Sequence, residues 1–170
     1  MVIWLIGISG SGKTTLGNKL KEYLDKLNKK SFLIDGDVVR SFFDNDLGYS
    51  REERVANIKR ILLATHVLSE SGTIAIVCNI HPFEELRAFA RMKIKGYNEI
   101  YLKKDLNTSK RNDVKAMYQD NIGKTEIVGI DLKFDEPKDS DLIVDTSSDN
   151  EDESFARILR FLNNKYPEEF

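Results

Sequence analysis

The chain has 170 residues, of which 41% are hydrophobic and 32% are charged, and its formal net charge is −2. This length suits one domain with its own buried core, so we predict a single domain over residues 1–170. The weakly acidic balance argues against a nucleic-acid or membrane-surface role, since either would need a basic patch. One cysteine cannot form an intramolecular disulfide, and no apolar stretch approaches the ~18 residues of a membrane span, so we expect a cytoplasmic protein that does not enter the membrane.

Short apolar runs alternate along the chain with apolar residues at helical spacing. The first half predicts, in order, a strand at Val2–Ile6, a helix at Thr14–Asn28, a strand at Ser31–Ile34 and a helix at Arg51–Ser69. The second half predicts a strand at Thr73–Val77, a helix after Pro82, a strand at Glu99–Leu102, a helix at Leu106–Tyr118, an irregular stretch at Lys124–Asp139, a strand at Leu142–Val144 and a last helix with Asp149 as its N-cap.

This alternation is typical of an α/β fold, and we predict a five-stranded parallel sheet with helices on both faces. Ligands of such sheets bind at the carboxyl ends of the strands. Three loops follow predicted strands and should meet on one edge of the sheet: Gly7–Thr14, Asp35–Asp37 and Cys78–His81. We expect the chemistry of the protein at this edge.

The segment Gly7–Thr14 matches the pattern G-x-x-x-x-G-K-[ST], with a predicted strand before it and a helix after it. Glycines let successive backbone N–H groups point at phosphates, and the start of the helix adds a favourable potential. Lys13 would reach the β- and γ-phosphates of ATP, and the Thr14 hydroxyl would be a ligand of Mg²⁺. The pattern predicts a P-loop NTPase-type fold and, in a chain this small, an ATP-dependent kinase of small molecules. The predicted ATP-binding residues are Gly7, Ser9, Gly10, Ser11, Gly12, Lys13, Thr14 and Thr15.

Two carboxylates, Asp35 and Asp37, flank a glycine where the second predicted strand ends. At this edge they can hold a magnesium-bound water or accept a proton from an attacking hydroxyl. Turn chemistry is the alternative, in which Asp35 caps a turn and Asp37 begins the next helix.

The start of the long helix carries a second polar cluster. Ser50 and Glu53 have the spacing of a capping box. Arg54 and Asn57 share one helix face, where a guanidinium and an amide suit an acceptor phosphate and its base or ribose. A solvated charged face is the alternative.

The order of these motifs resembles the adenylylsulfate (APS) kinase family. It runs from the P-loop through Asp35–Asp37 and Arg40 to the stretch Asp46–Arg60, with weaker agreement at Ile80–Phe83, Asp113–Tyr118 and Gly129–Asp131. The resemblance implies a homodimeric kinase that uses ATP and Mg²⁺. Its acceptor would be a small nucleotide with a modified 5′-phosphate, phosphorylated on the ribose 3′-hydroxyl.

The same resemblance implies roles for individual residues. Asp37 would be the catalytic carboxylate and, with Thr14, a ligand of Mg²⁺, while Asp35 supports it and Lys13 serves the transferred phosphate. Lys115 would lie in a lid over the phosphates. The candidate acceptor-binding residues are Arg40, Tyr49, which would stack on the base, Arg54, Asn57, Asn79, Ile80 and His81. His81 is either an acceptor ligand or a helix-entry residue.

The chain departs from the usual family pattern around the acceptor and the lid. Cys78–Pro82 stands where the family usually has Ser-x-Ile-Ser-Pro, Tyr49 replaces the usual phenylalanine, and Gln119–Asn121 replaces a basic run. Cys78 is expected to be a buried small side chain rather than a nucleophile.

These departures leave three hypotheses for the function. In its short N-terminus and altered lid the chain resembles a related branch of kinases that phosphorylate cytidine diphosphoramidate in capsule phosphoramidate biosynthesis. This resemblance favours that acceptor, with Asn79 and His81 bonding to the pyrimidine. The second hypothesis is an adenylyl-sulfate kinase that makes 3′-phosphoadenylyl sulfate (PAPS) in sulfate activation. The third is a nucleotide-binding regulatory module without catalysis. The retained residues Lys13, Thr14, Asp35 and Asp37 argue against it.

Overall fold

The computed structural model describes residues 1–105, 128–129 and 132–169. Its strands are β1 (Val2–Ile6), β2 (Ser31–Asp35), β3 (Ile74–Cys78), β4 (Tyr97–Lys103) and β5 (Leu142–Asp145). The helices in these ranges are α1 (Lys13–Lys26), α2 (Gly36–Phe42), α3 (Arg51–Glu70), α4 (Glu84–Lys93) and α5 (Glu151–Lys165). None of these helices is both long and apolar enough to cross a membrane. The predicted helix at Leu106–Tyr118, with Lys115 in it, lies outside the described residues.

The five strands form a parallel sheet, as the sequence predicted. Their order in the sheet is β2-β3-β1-β4-β5. The first strand is central, with β3 on one side and β4 on the other. The chain therefore leaves β1 at the point where the strand order diverges to both sides, which is where ligands of open α/β sheets bind.

Both faces of the sheet are covered by helices. Every residue of β1 is fully buried, and successive side chains of a strand point to opposite faces. Trp4 and Ile6 pack with apolar residues of α3 and α4, whereas Ile3 and Leu5 pack with those of α1 and α5. The near-continuous apolar sequence of β1 follows from this double burial.

Two of the described helices begin with reciprocal capping boxes. The predicted box of α3 is confirmed: the Ser50 hydroxyl accepts from the Glu53 N–H, and the Glu53 carboxylate accepts from the Ser50 N–H. The prediction for α5 was wrong by one residue, since Asn150 rather than Asp149 is the N-cap. Asn150 exchanges both bonds with Glu153, and the Asp149 carboxylate forms a surface ion pair instead.

Candidate active site

A cavity of about 530 Å³ opens at the carboxyl edge of the sheet. Its walls come from the P-loop and the start of α1, the β2–α2 turn, the region that begins α3, and the loop after β3. The lining residues are Ser9, Gly10, Gly12, Lys13, Thr14, Thr15, Asp35, Gly36, Asp37, Arg40, Tyr49, Arg54, Asn57, Ile58, Cys78, Asn79, Ile80, Pro82 and Val128. The predicted ATP-binding loop and most predicted acceptor residues therefore face one common space.

Glycines shape the loop between β1 and α1. Gly7 has φ 150°, and a Cβ atom there would lie 2.5 Å from the Leu102 carbonyl oxygen. Gly12, the N-cap of α1, has φ 87°, in the left-handed region that side chains rarely adopt. Of the predicted ATP-binding residues that the structure describes, Gly7 and Ser11 lie behind the cavity surface, where they shape the loop.

The Lys13 ammonium lies within the P-loop. Its Nζ donates to the Ile8 carbonyl oxygen at 2.7 Å and lies 3.4 Å from the Ser11 hydroxyl. Burial lowers the pKa of Lys13 to about 8, although nearby negative groups, among them Asp35, act in the opposite direction. A half-buried cation inside the P-loop, at the start of a helix, favours a polyanion such as a nucleotide phosphate chain.

Asp35 connects the P-loop to α2. Its Oδ2 accepts from the Thr14 hydroxyl at 2.8 Å, and its Oδ1 accepts from the Asp37 N–H at 2.9 Å. The second contact caps α2, a helix that the sequence analysis raised only as an alternative reading of these aspartates. Capping does not remove Asp35 from the site, because the same carboxylate contacts the P-loop. The exposed Asp37 carboxylate faces the cavity and accepts no hydrogen bond from the described residues.

Arg40, Tyr49 and Arg54 form a cluster of cations and one aromatic ring on the cavity wall. The two guanidinium carbons lie 4.5 Å (Arg40) and 5.2 Å (Arg54) from the centroid of the Tyr49 ring. Arg40 is buried and donates to the carbonyl oxygens of Leu47 and Gly48, at 3.0 and 2.6 Å. Arg54 donates to the carbonyl oxygen of Tyr49 at 2.7 Å. The arginines thus hold the Tyr49 loop and bring positive charge to the cavity.

Asn57, Asn79 and Ile80 also line the cavity. Asn57 is buried, and its Nδ2 donates to the Gly36 carbonyl oxygen at 3.3 Å, while its Oδ1 has no hydrogen-bond partner among the described residues. Asn79 Oδ1 accepts from the His81 N–H at 2.6 Å. The Asn57 Oδ1 atom is therefore a buried acceptor beside the cavity.

His81 is the predicted acceptor residue that does not reach the cavity lining. Its side chain is fully buried against Trp4, with ring centroids 4.7 Å apart. Burial, together with the positive charges of Arg87 and Arg91, lowers the pKa of His81 to about 3, so the ring is neutral near pH 7. The helix-entry alternative fits this position, since His81 leads into α4 with φ 50°.

Cys78 is buried, as the sequence predicted. Its Sγ donates to the Lys13 carbonyl oxygen at 3.2 Å. Burial raises the pKa of the Cys78 thiol to about 12, and Asp35 adds to this shift, so a thiolate nucleophile is not formed near pH 7.

Lys104 is a residue near the site that the sequence analysis missed. Its ammonium donates to the Gly10 carbonyl oxygen at 2.7 Å, and its charge opposes protonation of Lys13. Lys104 directly follows β4, so the rule that ligands meet the carboxyl edge of the sheet could have placed it at that edge, although not beside Gly10. Ile58, Pro82 and Val128 are further lining residues that were not predicted.

The chain is similar to known proteins over nearly its whole length. The sequence matches the family described as adenylylsulphate kinase over residues 1–145. It is 36% identical over 170 residues to an adenylyl-sulfate kinase of Pseudomonas aeruginosa, covering 98% of this chain and 87% of that protein. A relative of the same name from Picosynechococcus sp. is 34% identical, covering 95% of this chain and 93% of the relative. Among solved structures, the Mycobacterium tuberculosis APS kinase in complex with AMPPNP and APS is similar with a TM-score of 0.85 and 28% identity, covering 95% of this chain and 96% of that chain.

The residues that line the cavity all fall within the range that matches the family. The similarity to the relatives extends over nearly the whole chain, and the similarity in structure is equally extensive. The chain belongs to the adenylylsulphate kinase family and is a phosphotransferase that moves a phosphoryl group from ATP to a hydroxyl group.

Proposed function

We propose that this chain is an adenylyl-sulfate kinase, which transfers the γ-phosphoryl group of ATP to the ribose 3′-hydroxyl of APS and releases ADP and PAPS. The observation that carries the proposal is the cavity in which the P-loop, the Asp37 carboxylate and the cluster of Arg40, Tyr49 and Arg54 face one another. The names of the relatives compared above support APS as the acceptor.

On the donor side, the P-loop N–H groups and the Lys13 ammonium bind the β- and γ-phosphates. Positioning and charge stabilisation supply most of the catalysis in phosphoryl transfer, because little covalent chemistry is left for the protein. The Lys13 ammonium is half-buried, so water screens its attraction for phosphate less than it would at an exposed site.

On the acceptor side, Asp37 accepts the proton of the attacking 3′-hydroxyl. Asp35 supports this role by fixing the start of α2, on which Asp37 lies, relative to Thr14. The cluster of Arg40, Tyr49 and Arg54 neutralises the charged 5′-chain of the acceptor and offers a ring for stacking on its base.

The oxygen atoms at this edge also fit a magnesium ion. Thr14 and the aspartates supply hydroxyl and carboxylate oxygens, which Mg²⁺ prefers, and the described residues contain no cluster of three or more acidic, histidine or cysteine side chains that would hold a metal alone. Mg²⁺ is commonly held by one or two protein oxygens together with substrate phosphates. Thr14 and Asp37 would hold the ion, which would neutralise charge on the transferred phosphate.

The cytidine diphosphoramidate hypothesis has less support than APS. It assigned base recognition to Asn79 and His81, but the His81 ring is fully buried and the Asn79 oxygen already accepts the His81 N–H. The homodimer, the magnesium ion and the cytoplasmic location stay predictions from the sequence.

The acceptor can be tested by measuring ADP release from ATP with APS, with cytidine diphosphoramidate, and with other adenosine and cytidine diphosphate derivatives. We expect kcat/KM for APS to exceed that for every cytidine compound by at least about tenfold, or about 1.4 kcal/mol of discrimination. Mass spectrometry and NMR of the product should place the new phosphate on the 3′-oxygen. The Lys13→Ala variant is the control for contaminating kinases.

Efficient turnover of a cytidine diphosphate derivative without turnover of APS would contradict the proposal and restore the cytidine hypothesis. ATP binding without ADP release for any acceptor would instead favour the regulatory module.

A further inference from the structure

The loop Asn79–Pro82 forms one wall of the cavity and has an unusual backbone. Asn79, Ile80 and Pro82 line the cavity, while His81 between them points into the core and has φ 50°. A left-handed conformation is uncommon outside glycine, so the surroundings must hold the loop in place.

Arg87, from α4, supplies much of that support. Its side chain is fully buried, and its Nη1 donates to the His81 carbonyl oxygen at 2.8 Å. Its Nη2 donates to the Asp135 carbonyl oxygen at 2.6 Å, and the Asp135 N–H donates to the Pro82 carbonyl oxygen at 2.9 Å. The guanidinium therefore joins the loop to the Asp135 segment.

Two carboxylates orient the Arg87 guanidinium. Glu84 accepts from Nε at 3.0 Å and from Nη2 at 2.6 Å, and the buried Glu99 carboxylate lies 3.8 Å from Nε. Only arginine offers a rigid planar fork of donors that can serve two carbonyl groups and a carboxylate at once. A lysine would keep the charge but could not span these acceptors.

We propose that Arg87 is a positioning residue for the acceptor, which holds the Asn79–Pro82 loop in the shape that the acceptor contacts. This inference rests on the proposed function, and it adds that the loop, three of whose residues line the cavity, belongs to the acceptor side of that cavity. Arg87 itself does not touch the substrate and acts through the His81 and Asp135 carbonyl groups.

The test compares Arg87→Lys with Arg91→Lys. Arg91 is the matched control, because it pairs with the same Glu84 and Glu99 carboxylates. Within the part of the chain that the structure describes, Arg91 donates to no carbonyl group of the loop. We expect Arg87→Lys to raise the KM for APS by about tenfold or more, since small misplacements of a binding group have effects of this size, and to leave the KM for ATP within about twofold. Arg91→Lys should leave both values within about twofold of the original protein.

A second measurement needs no acceptor. Trp4 is the only tryptophan and its ring contacts the His81 ring, so its fluorescence reports the loop. Arg87→Lys should change the Trp4 emission of the folded protein, whereas Arg91→Lys should not. If Arg87→Lys fails to fold, the same measurements are made on Glu84→Gln. The Glu84 side chain is 46% exposed, so this substitution should be tolerated better, and neutralising Glu84 should raise the KM for APS by a smaller factor.

Parallel changes in both KM values, equal effects of the two lysine substitutions, or an unchanged KM for the acceptor would overturn the inference. If the original protein uses another acceptor, the same comparison made with that acceptor decides the role of Arg87. If no acceptor is turned over, the proposed function fails and the Trp4 emission alone tests the role of Arg87. A change in emission for Arg87→Lys alone would show that Arg87 supports the loop, and an unchanged emission would show that it does not.

Discussion

Several side chains of the site do two things at once. Asp35 caps α2 with one carboxylate oxygen and accepts the Thr14 hydroxyl with the other. Arg40 brings charge to the cavity and also holds the carbonyl groups of Leu47 and Gly48. Substitutions here will therefore change both stability and activity, and kinetics must be read beside unfolding curves.

The pH dependence of ATP use should report Lys13. Burial lowers its pKa from the ordinary value of 10.5 to about 8, so the free protein loses the ammonium as the pH rises through about 8. The value of kcat/KM for ATP should be level below pH 8 and fall above it, because the neutral amine binds phosphate poorly. Bound phosphates favour the charged form, so kcat itself should fall only at higher pH.

The lowered pKa of Lys13 also predicts how the stability of the protein changes with pH. Between about pH 8 and 10.5 the unfolded chain holds the Lys13 proton that the folded chain has lost, so its contribution to the free energy of unfolding increases with pH. Steady-state kinetics from pH 6 to about 10 tests the predicted fall of kcat/KM. Unfolding curves measured at each pH test the predicted change in the free energy of unfolding. A kcat/KM that stays level across this range would contradict the assignment of Lys13.

The two aspartates should respond differently to amide substitution. Asp37→Asn removes the proton acceptor and should lower kcat by about 100-fold or more with little change in ATP affinity. Asp35→Asn keeps an oxygen that can accept from a backbone N–H or the Thr14 hydroxyl, so its effect on kcat should be milder. Steady-state kinetics and ATP titration on both variants measure this. Comparable damage from the two would leave their separate roles unsupported.

At the scale of helices and strands, the capping boxes show how local signals position the site. The Ser50 box begins α3 directly after Tyr49, on the cavity wall, and Glu53 also accepts the Gly48 N–H at 2.8 Å. The Asn150 box begins α5, away from the cavity lining. The same motif thus serves stability alone in one helix and both stability and the site in the other.

This contrast predicts the outcome of a matched pair of cap substitutions. Ser50→Ala and Asn150→Ala should each lower the free energy of unfolding by about 1 kcal/mol, because each removes an acceptor for a helix N–H. Only Ser50→Ala should raise the KM for the acceptor, since it loosens the segment that carries Tyr49. Urea unfolding and steady-state kinetics measure the two effects, and an equal rise in KM from Asn150→Ala would show that general destabilisation, and not the position of Tyr49, is responsible.

At the scale of the whole molecule, the site depends on how closely the helices approach the sheet. Gly17 in α1 faces β3, and a Cβ atom at Gly17 would lie 2.4 Å from the Cys78 sulfur and 3.1 Å from Leu33 Cδ1. The absence of a side chain lets α1 approach the sheet, and the first turn of α1 is the end of the P-loop.

Gly17→Ala should therefore destabilise the protein by about 1–3 kcal/mol through overpacking, despite the better helix propensity of alanine. Adding Cys78→Ala removes the clashing sulfur, so the double variant should be more stable than Gly17→Ala alone, with a coupling of about 1 kcal/mol. Urea unfolding of the two single variants and the double variant completes the cycle. Additive effects would show that the helix does not pack on the sulfur as described.

Short stretches of sequence determine the P-loop, the strands and the start of α3. The P-loop occupies eight consecutive residues between a buried strand and a helix, so its conformation and its ligand follow from local rules. The predicted strands were correct to within two residues at each end, and the capping box of α3 was correct, since apolar periodicity and capping need only neighbouring residues. The order of motifs in the first 60 residues also indicated the family, which the comparisons confirm.

Other features were decided only by the tertiary structure. The sequence could not tell whether His81 faces the acceptor or the core, because this depends on the packing of the loop over Trp4 and on the bond from Arg87. It also could not show that Lys104 reaches the Gly10 carbonyl group, 94 positions earlier in the chain. Such contacts exist because β4 lies next to β1 in the sheet, and strand order is set by the burial of the whole core rather than by any local pattern.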